Sequence, residues 1–322
     1  MFITIHPRLG RGGSKYKGVS PHSALPMNKF TPLAFTMVQA RLNHEEEAAL
    51  LKHLLSWGSG GIAFEKKFAA FVGSAEAISV TSCSSMFKLA AELAEFKSRD
   101  EVIIPTHAFV ATTVPFAHHE VSVRRADIDP GAWVISADAV SELITAKTKL
   151  MVIVHLYGMP ADMDTILAGA GNFGIPVVED CAQAPSAQYK GKRFEASPCG
   201  PTVWWMLNWP FDGNRAKYWR PAMSNLVVPM AGQWPRSYCM GEPNCVIRRL
   251  LVRRLDKVNA QHQRQANRLI AALQEFPELK LKRVPQGYQH VYHLVPSNYD
   301  RSQYGKSGHF CAYLIAWPHS LI

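Results

Sequence analysis

Residues 150–184 read LMVIVHLYGMPADMDTILAGAGNFGIPVVEDCAQA. Leu150 to Val154 is an apolar run of strand length, which predicts a strand buried on both faces. Asp162 stands where a helix near Asp164 to Ala170 needs its N-cap, and Gly174 supplies the stop. Ile175 to Val178 is a second apolar strand, followed at once by Glu179, Asp180, Cys181, Ala182, Gln183 and Ala184. An acid directly after such a strand lies at the edge of the sheet where ligands bind.

The same alternation runs upstream. EEEAALLKHLLSWG predicts a helix from about residue 44 stopped by Gly58, and FEKKFAAFVG predicts a second closed by Gly73. Ala77 to Val80 reads as a short strand. MFKLAAELAEF reads as a helix with Met86, Leu89, Ala90, Leu93 and Ala94 on one face. Val102 to Ile104 is a strand, followed by a helical stretch through Val114. Val121 to Val123 is a strand, and Ala137 to Ile144 is a helix. Apolar strands alternating with helices predict an α/β fold whose central sheet is mostly parallel and covered on both faces. Ligand-binding loops are then expected after Val80, Ile104, Val154 and Val178.

Composition narrows the class. The chain has 322 residues, 48% of them hydrophobic and 19% charged, which fits a compact protein of roughly two domains. Net charge is +10, and the sequence pI is near 9.3. That balance suits anionic ligands and, equally, nucleic acid. The densest basic cluster is Arg248, Arg249, Arg253, Arg254 and Lys257, which reads as a solvated helix face rather than a nucleic-acid stripe. The cysteines Cys83, Cys181, Cys199, Cys239, Cys245 and Cys311 show no C-x-x-C pair and no zinc spacing, so free thiols in a reducing cytosol are expected. MFITIHPRLGRGGSK lacks the apolar run of a signal peptide, and no stretch has the length of a membrane span. The expectation is therefore a cytoplasmic protein that engages neither membrane nor nucleic acid.

Three loops carry candidate chemistry. Thr81-Ser82-Cys83-Ser84-Ser85 precedes a helix, where small residues either cradle a phosphate or simply cap. Phe109, in Pro105-Thr106-His107-Ala108-Phe109-Val110-Ala111-Thr112, could stack on a flat ring, although taken alone it reads as a core residue. Asp180 could hold a pyridinium nitrogen protonated, or it could cap a helix.

In this order the segments resemble the DegT/DnrJ/EryC1/StrS family of pyridoxal-phosphate (PLP) aminotransferases. GGIAFEKKFAAFVG, SCSS, DEVIIPTHAFVAT and DIDPGAW lead to HLYGMPADMDTILAGAGNFGIPVVEDCAQAPSAQYKGKR at residues 155–193. That last stretch is similar to the family's H-x-Y-G-x-P-A-D-M-D, E-D-x-A-Q-A and Y-K-G-x-x. The resemblance covers about Leu42 to Arg193 and returns faintly at RRLDKVNAQHQRQANRLIAAL and VYHLV. It implies the fold type I aminotransferase architecture and amination of a keto-sugar, usually nucleotide-linked, from an amino-acid donor. It also implies a homodimer. Asp180 matches the partner of the pyridine nitrogen, Gln183 the contact to the ring hydroxyl, and Phe109 the stacking aromatic. Cys83 and Ser84 match the Gly-Thr pair at the cofactor phosphate, and the Cβ of Cys83 stands where the family has glycine.

The implied organisation is a basic arm over 1–31, a PLP-binding large domain over 32–244 and a shortened C-terminal small domain over 245–322. The pattern departs from the family after Arg193. Counting from Gly200 places the slot of the Schiff-base lysine near Phe211. No Gly-Glu-Gly-Gly turn follows, and Trp204, Trp205, Trp209, Trp219 and Trp234 crowd the same stretch. Ser237-Tyr238-Cys239-Met240 stands for the family's Asn-Tyr-Arg-Met turn. Three explanations stay open: Lys217 serves as the base, the chain is a lysine-less relative, or a deletion or frame change altered residues 200–240. Two other classes stand beside the enzyme. One is a non-catalytic PLP-fold protein that binds a sugar nucleotide or a partner subunit. The other is a basic nucleic-acid-binding protein.

Overall fold

The computed structural model describes residues 43–55, 60–74, 77–193, 204–205, 207–208, 240–277 and 279–299. Phe211, Lys217 and the Ser237–Cys239 turn lie outside the described residues, as do residues 1–31. The elements run α1 (His44–Leu55), α2 (Gly60–Val72), β1 (Ile78–Ser79), α3 (Cys83–Leu93) and β2 (Glu101–Pro105). There follow α4 (Val114–Ala117), β3 (Ser122–Ala126), α5 (Ala137–Leu143), β4 (Thr148–Val154), α6 (Met163–Asn172) and β5 (Val177–Asp180). Beyond these lie β6 (Gln188–Tyr189), β7 (Lys192–Arg193), β8 (Trp204–Trp205) and β9 (Leu207–Asn208). The C-terminal part holds α7 (Glu242–Leu251), α8 (Leu255–Leu273), β10 (Leu279–Leu281), β11 (Tyr288–Gln289) and β12 (Ser297–Tyr299).

The central sheet has the order β3-β2-β4-β5-β9. Its first four strands are parallel and β9 joins antiparallel to β5, so the expected mostly parallel sheet is present. Alternate side chains of the strands feed two separate cores, because successive residues of a strand point to opposite faces. Ile103, Met151, Ile153 and Val177 face the core shared with Val140 of α5 and Ile166 of α6. Val102, Ile104, Leu150, Val152 and Val178 face the core of Met86, Phe87, Leu89 and Phe116. Phe87 meets Phe116 edge-on at 6.0 Å, and both are fully buried. Truncating either to alanine costs about 3–5 kcal/mol by the transfer and cavity terms.

Several local expectations change in tertiary context. β1 pairs antiparallel with β8 and stands outside the five-stranded sheet. It is anchored instead by Glu65, whose Oε1 accepts from the Ser79 amide at 2.7 Å and the Ser79 hydroxyl at 2.9 Å. The helical stretch expected before Val114 is a single 3-10 turn, Val110–Thr112, and Pro115 then opens the four-residue α4. Asp162 does occupy the N-cap of α6, but its carboxylate makes no capping bond to the backbone. Its oxygens are taken by Tyr189 Oη at 2.8 Å and Thr165 Oγ1 at 2.9 Å.

The basic cluster is likewise not one solvated face. A 3-10 turn at Val252–Arg254 separates α7 from α8. Arg248 is buried, Arg254 pairs with Glu46 at 3.2 Å, and Arg253 and Lys257 are exposed. Glu242, at the start of α7, accepts from the amides of Gly60 at 2.6 Å and Gly61 at 3.3 Å. It thereby satisfies two of the free N–H groups at the start of α2 from a segment distant in sequence. Among the described residues no helix is long and apolar enough to cross a membrane.

Candidate active site

The carboxyl ends of β2, β4 and β5 and the N-terminus of α3 converge. Parallel pairing places Val154 beside Asp180, so the strands deliver their following loops to one edge. Asp180 ends β5 and is 6% exposed. Its Oδ2 accepts from Thr112 Oγ1 at 3.2 Å, and its Oδ1 accepts from the Ala182 amide at 3.1 Å and lies 3.9 Å from Cys83 Sγ. Burial pushes the Asp180 carboxyl above the usual carboxylate range, and these hydrogen bonds offset that only in part. No lysine or arginine forms a salt bridge with it among the described residues. The Cys83 thiol is pushed up by burial and by the neighbouring Asp180 charge, so it stays a thiol.

At the start of α3 the capping reading holds for Ser82. Ser82 is the N-cap and its Oγ accepts from the Ser85 amide at 3.1 Å. The Ser85 hydroxyl also meets Thr81 Oγ1 at 3.0 Å and Ser82 Oγ at 2.9 Å. Cys83 and Ser84 occupy the first turn, where backbone N–H groups lack intrahelical acceptors and the helix dipole is positive. Phe109 is 55% exposed, against the core burial its residue type alone suggests. The loop turns there because Phe109 is the N-cap of the 3-10 turn, and the Thr112 amide donates to the Phe109 carbonyl at 2.9 Å.

Gln183 lies on the loop after β5, and its Oε1 accepts from the Tyr157 amide at 2.6 Å. Tyr157 Oη meets His107 Nε2 at 3.0 Å, which joins the loops after β2, β4 and β5. Cys83, Asp180 and Thr112 therefore form one group, and Gln183, Tyr157 and His107 a second on the same edge. Thr112, Tyr157 and His107 are the functional candidates that residue patterns alone did not single out. The signal for Tyr157 was the Tyr-Gly dipeptide three residues after β4, in the turn that follows the strand.

Beneath this edge, His155 is fully buried. Its Nδ1 accepts from the Ala161 amide at 3.1 Å, so its Nε2 carries the proton and donates to Glu179 Oε2 at 3.1 Å. The potential ligand atoms of His155, Glu179 and Cys181 lie within 4.8 Å of one another, a grouping invisible in their spacing. Both imidazole nitrogens are used by these hydrogen bonds, and the group reads as a structural network. Cys83, Cys181 and Cys245 are free thiols.

Residues 38–196 match the model of the DegT/DnrJ/EryC1/StrS aminotransferase family. Over 135 residues the chain is 36% identical to the UDP-N-acetyl-3-dehydro-alpha-D-glucosamine 3-aminotransferase of Acidithiobacillus ferrooxidans, covering 42% of this chain and 37% of that one. Over 130 residues it is 36% identical to the L-glutamine:2-deoxy-scyllo-inosose aminotransferase of Streptoalloteichus tenebrarius, covering 40% and 31%. The chain thus spans about a third of the length of these curated relatives. The crystal structure of DesV from S. venezuelae superposes with a TM-score of 0.73 at 24% identity, over 83% of this chain and 77% of that one. This last likeness establishes the fold.

Proposed function

Because residues 38–196 belong to the DegT/DnrJ/EryC1/StrS aminotransferase family, we propose that the chain binds pyridoxal phosphate at the carboxyl edge of its sheet. The proposed reaction is amination of a nucleotide-linked keto-sugar from an amino-acid donor, in a homodimer. The bound cofactor would supply an electron sink for moving an amino group. The observation that carries the reading is Asp180: a buried carboxylate, held by three donors, with no lysine or arginine salt bridge among the described residues. A pyridinium N–H supplies the missing opposite charge, and burial makes that pairing strong.

The other residues fit the same ligand. The first-turn N–H groups of Cys83 and Ser84 suit a phosphate dianion. The exposed ring of Phe109 offers a face for stacking. Gln183 carries an amide for the ring oxygen. The basic balance of the chain suits an anionic sugar nucleotide.

A second reading rests on Phe211, the residue at the counted lysine slot. On that reading the site binds the cofactor reversibly and weakly, and transamination is very slow because the proton-transferring amine is missing. Titration with PLP, followed by visible absorbance, tests both. Saturable binding that Asp180→Asn weakens supports the site. An unchanged spectrum at millimolar PLP overturns it. Conversion of the bound cofactor by glutamate or glutamine separates an active enzyme from an impaired one.

A further inference from the structure

Tyr157 adopts φ 63° and ψ 3°, and Gly158 follows at φ 96°. Two successive left-handed residues are unusual for a chain that places a tyrosine first, and such strain persists only where the surroundings enforce it. Here they do. The Val291 amide donates to the Gly158 carbonyl at 3.0 Å, and the Leu294 amide donates to the Tyr157 carbonyl at 3.3 Å. The Lys282 ammonium lies 5.1 Å above the Tyr157 ring and reaches the Leu156 carbonyl at 3.5 Å. A Cβ on Gly158 would come within 2.9 Å of the His293 amide nitrogen and 3.0 Å of that of Tyr292. Only glycine lets the C-terminal segment approach this closely.

The product of the turn is the direction of one N–H. The Tyr157 amide points at Gln183, and a backbone N–H can only donate, so the atom it meets is the amide oxygen of Gln183. The Gln183 NH2 is thereby turned away from Tyr157, and it has no hydrogen-bond partner among the described residues. We propose that the Leu156–Gly158 turn, clamped by Lys282 and residues 291–294, is a positioning device. It presents the Gln183 NH2 as a donor to the oxygen on the cofactor ring. This rests on the reading of Gln183 as the ring-oxygen contact. It adds that a segment more than 100 residues downstream sets the direction of that contact.

The test is PLP binding to the full chain, read as dissociation constant and as the position and pH dependence of the bound absorption band. That band reports whether the ring oxygen is protonated. Gln183→Glu keeps an oxygen for the Tyr157 amide but replaces the donor with a carboxylate, without moving the backbone. It should weaken binding about tenfold or more and raise the pH at which the band changes. Gly158→Ala should weaken binding about fivefold or more in the native background and have no effect in a Gln183→Ala background, since both changes remove one interaction. Circular dichroism establishes that each variant is folded.

Native-like affinity and band in Gln183→Glu overturn the inference even if Gly158→Ala fails to fold. An additive effect of Gly158→Ala in both backgrounds also overturns it, while leaving the cofactor site standing. If Gln183→Ala and Asp180→Asn are both without effect, the cofactor-site reading itself falls and takes the inference with it.

Discussion

Asp180→Asn should move apo stability and cofactor affinity in opposite directions. In the apo protein the carboxylate is buried without a lysine or arginine salt bridge among the described residues, and its pKa is raised by desolvation. The folded state then holds the proton to higher pH than the unfolded chain does. Stability must therefore fall as pH rises from the ordinary carboxylate range to the raised folded value. Asparagine removes that penalty and still offers an oxygen to either the Ala182 amide or Thr112. One of those two contacts is lost, at about 1 kcal/mol. The net effect near neutral pH should be a Tm unchanged or higher, with a flatter acid-to-neutral slope.

With PLP present the same change removes one partner of a buried charge pair. Because the amide retains a hydrogen-bonding group, the loss should lie near the low end for such pairs, about 2–3 kcal/mol. That corresponds to a roughly 30- to 150-fold rise in dissociation constant. Thermal melts of the apo protein across pH 4–8, run beside absorbance or fluorescence titrations with PLP, measure both quantities. A variant that melts several degrees lower yet binds PLP normally would refute the reasoning, because it would make Asp180 a structural residue only.

Three further outcomes are expected. Ser84→Asp should cost at least about tenfold in affinity for PLP and much less for the unphosphorylated vitamer pyridoxal, since the new carboxylate meets the phosphate at close range; equal losses would assign the first turn of α3 to capping alone. Borohydride reduction of the PLP-loaded protein and peptide mapping should leave Lys217 unlabelled, while Phe211→Lys should acquire a pyridoxyl group and raise the half-reaction rate; a label on Lys217 would show that it is the reacting amine. Burial lowers the Lys282 amine to about 7, so the unfolded chain binds the extra proton between there and the usual lysine range, and stability should rise with pH across that window. Lys282→Met should abolish this slope in urea titrations between pH 7 and 10, and an unchanged slope would place its origin elsewhere.

The alternation of apolar strands with helices was legible because it depends on neighbours within a few residues. The buried faces of β2, β4 and β5 follow from runs such as Val102–Ile104 and Leu150–Val154, and those strands carry Asp180 and Gln183 to the sheet edge whatever else the chain does. What the residue pattern could not reveal are relations between segments distant in sequence. Asp162 had the right identity for a cap, yet Tyr189, 27 residues on, takes its carboxylate. Glu242 satisfies the start of α2 across 182 residues. The burial of Asp180, the exposure of Phe109 and the direction of the Gln183 amide all depend on which loops the sheet order brings together. Local sequence determines an element because backbone dihedrals and side-chain periodicity are near-neighbour properties. A charge environment or a hydrogen-bond direction is set by groups that meet only once the strands are paired, and there the tertiary structure decides.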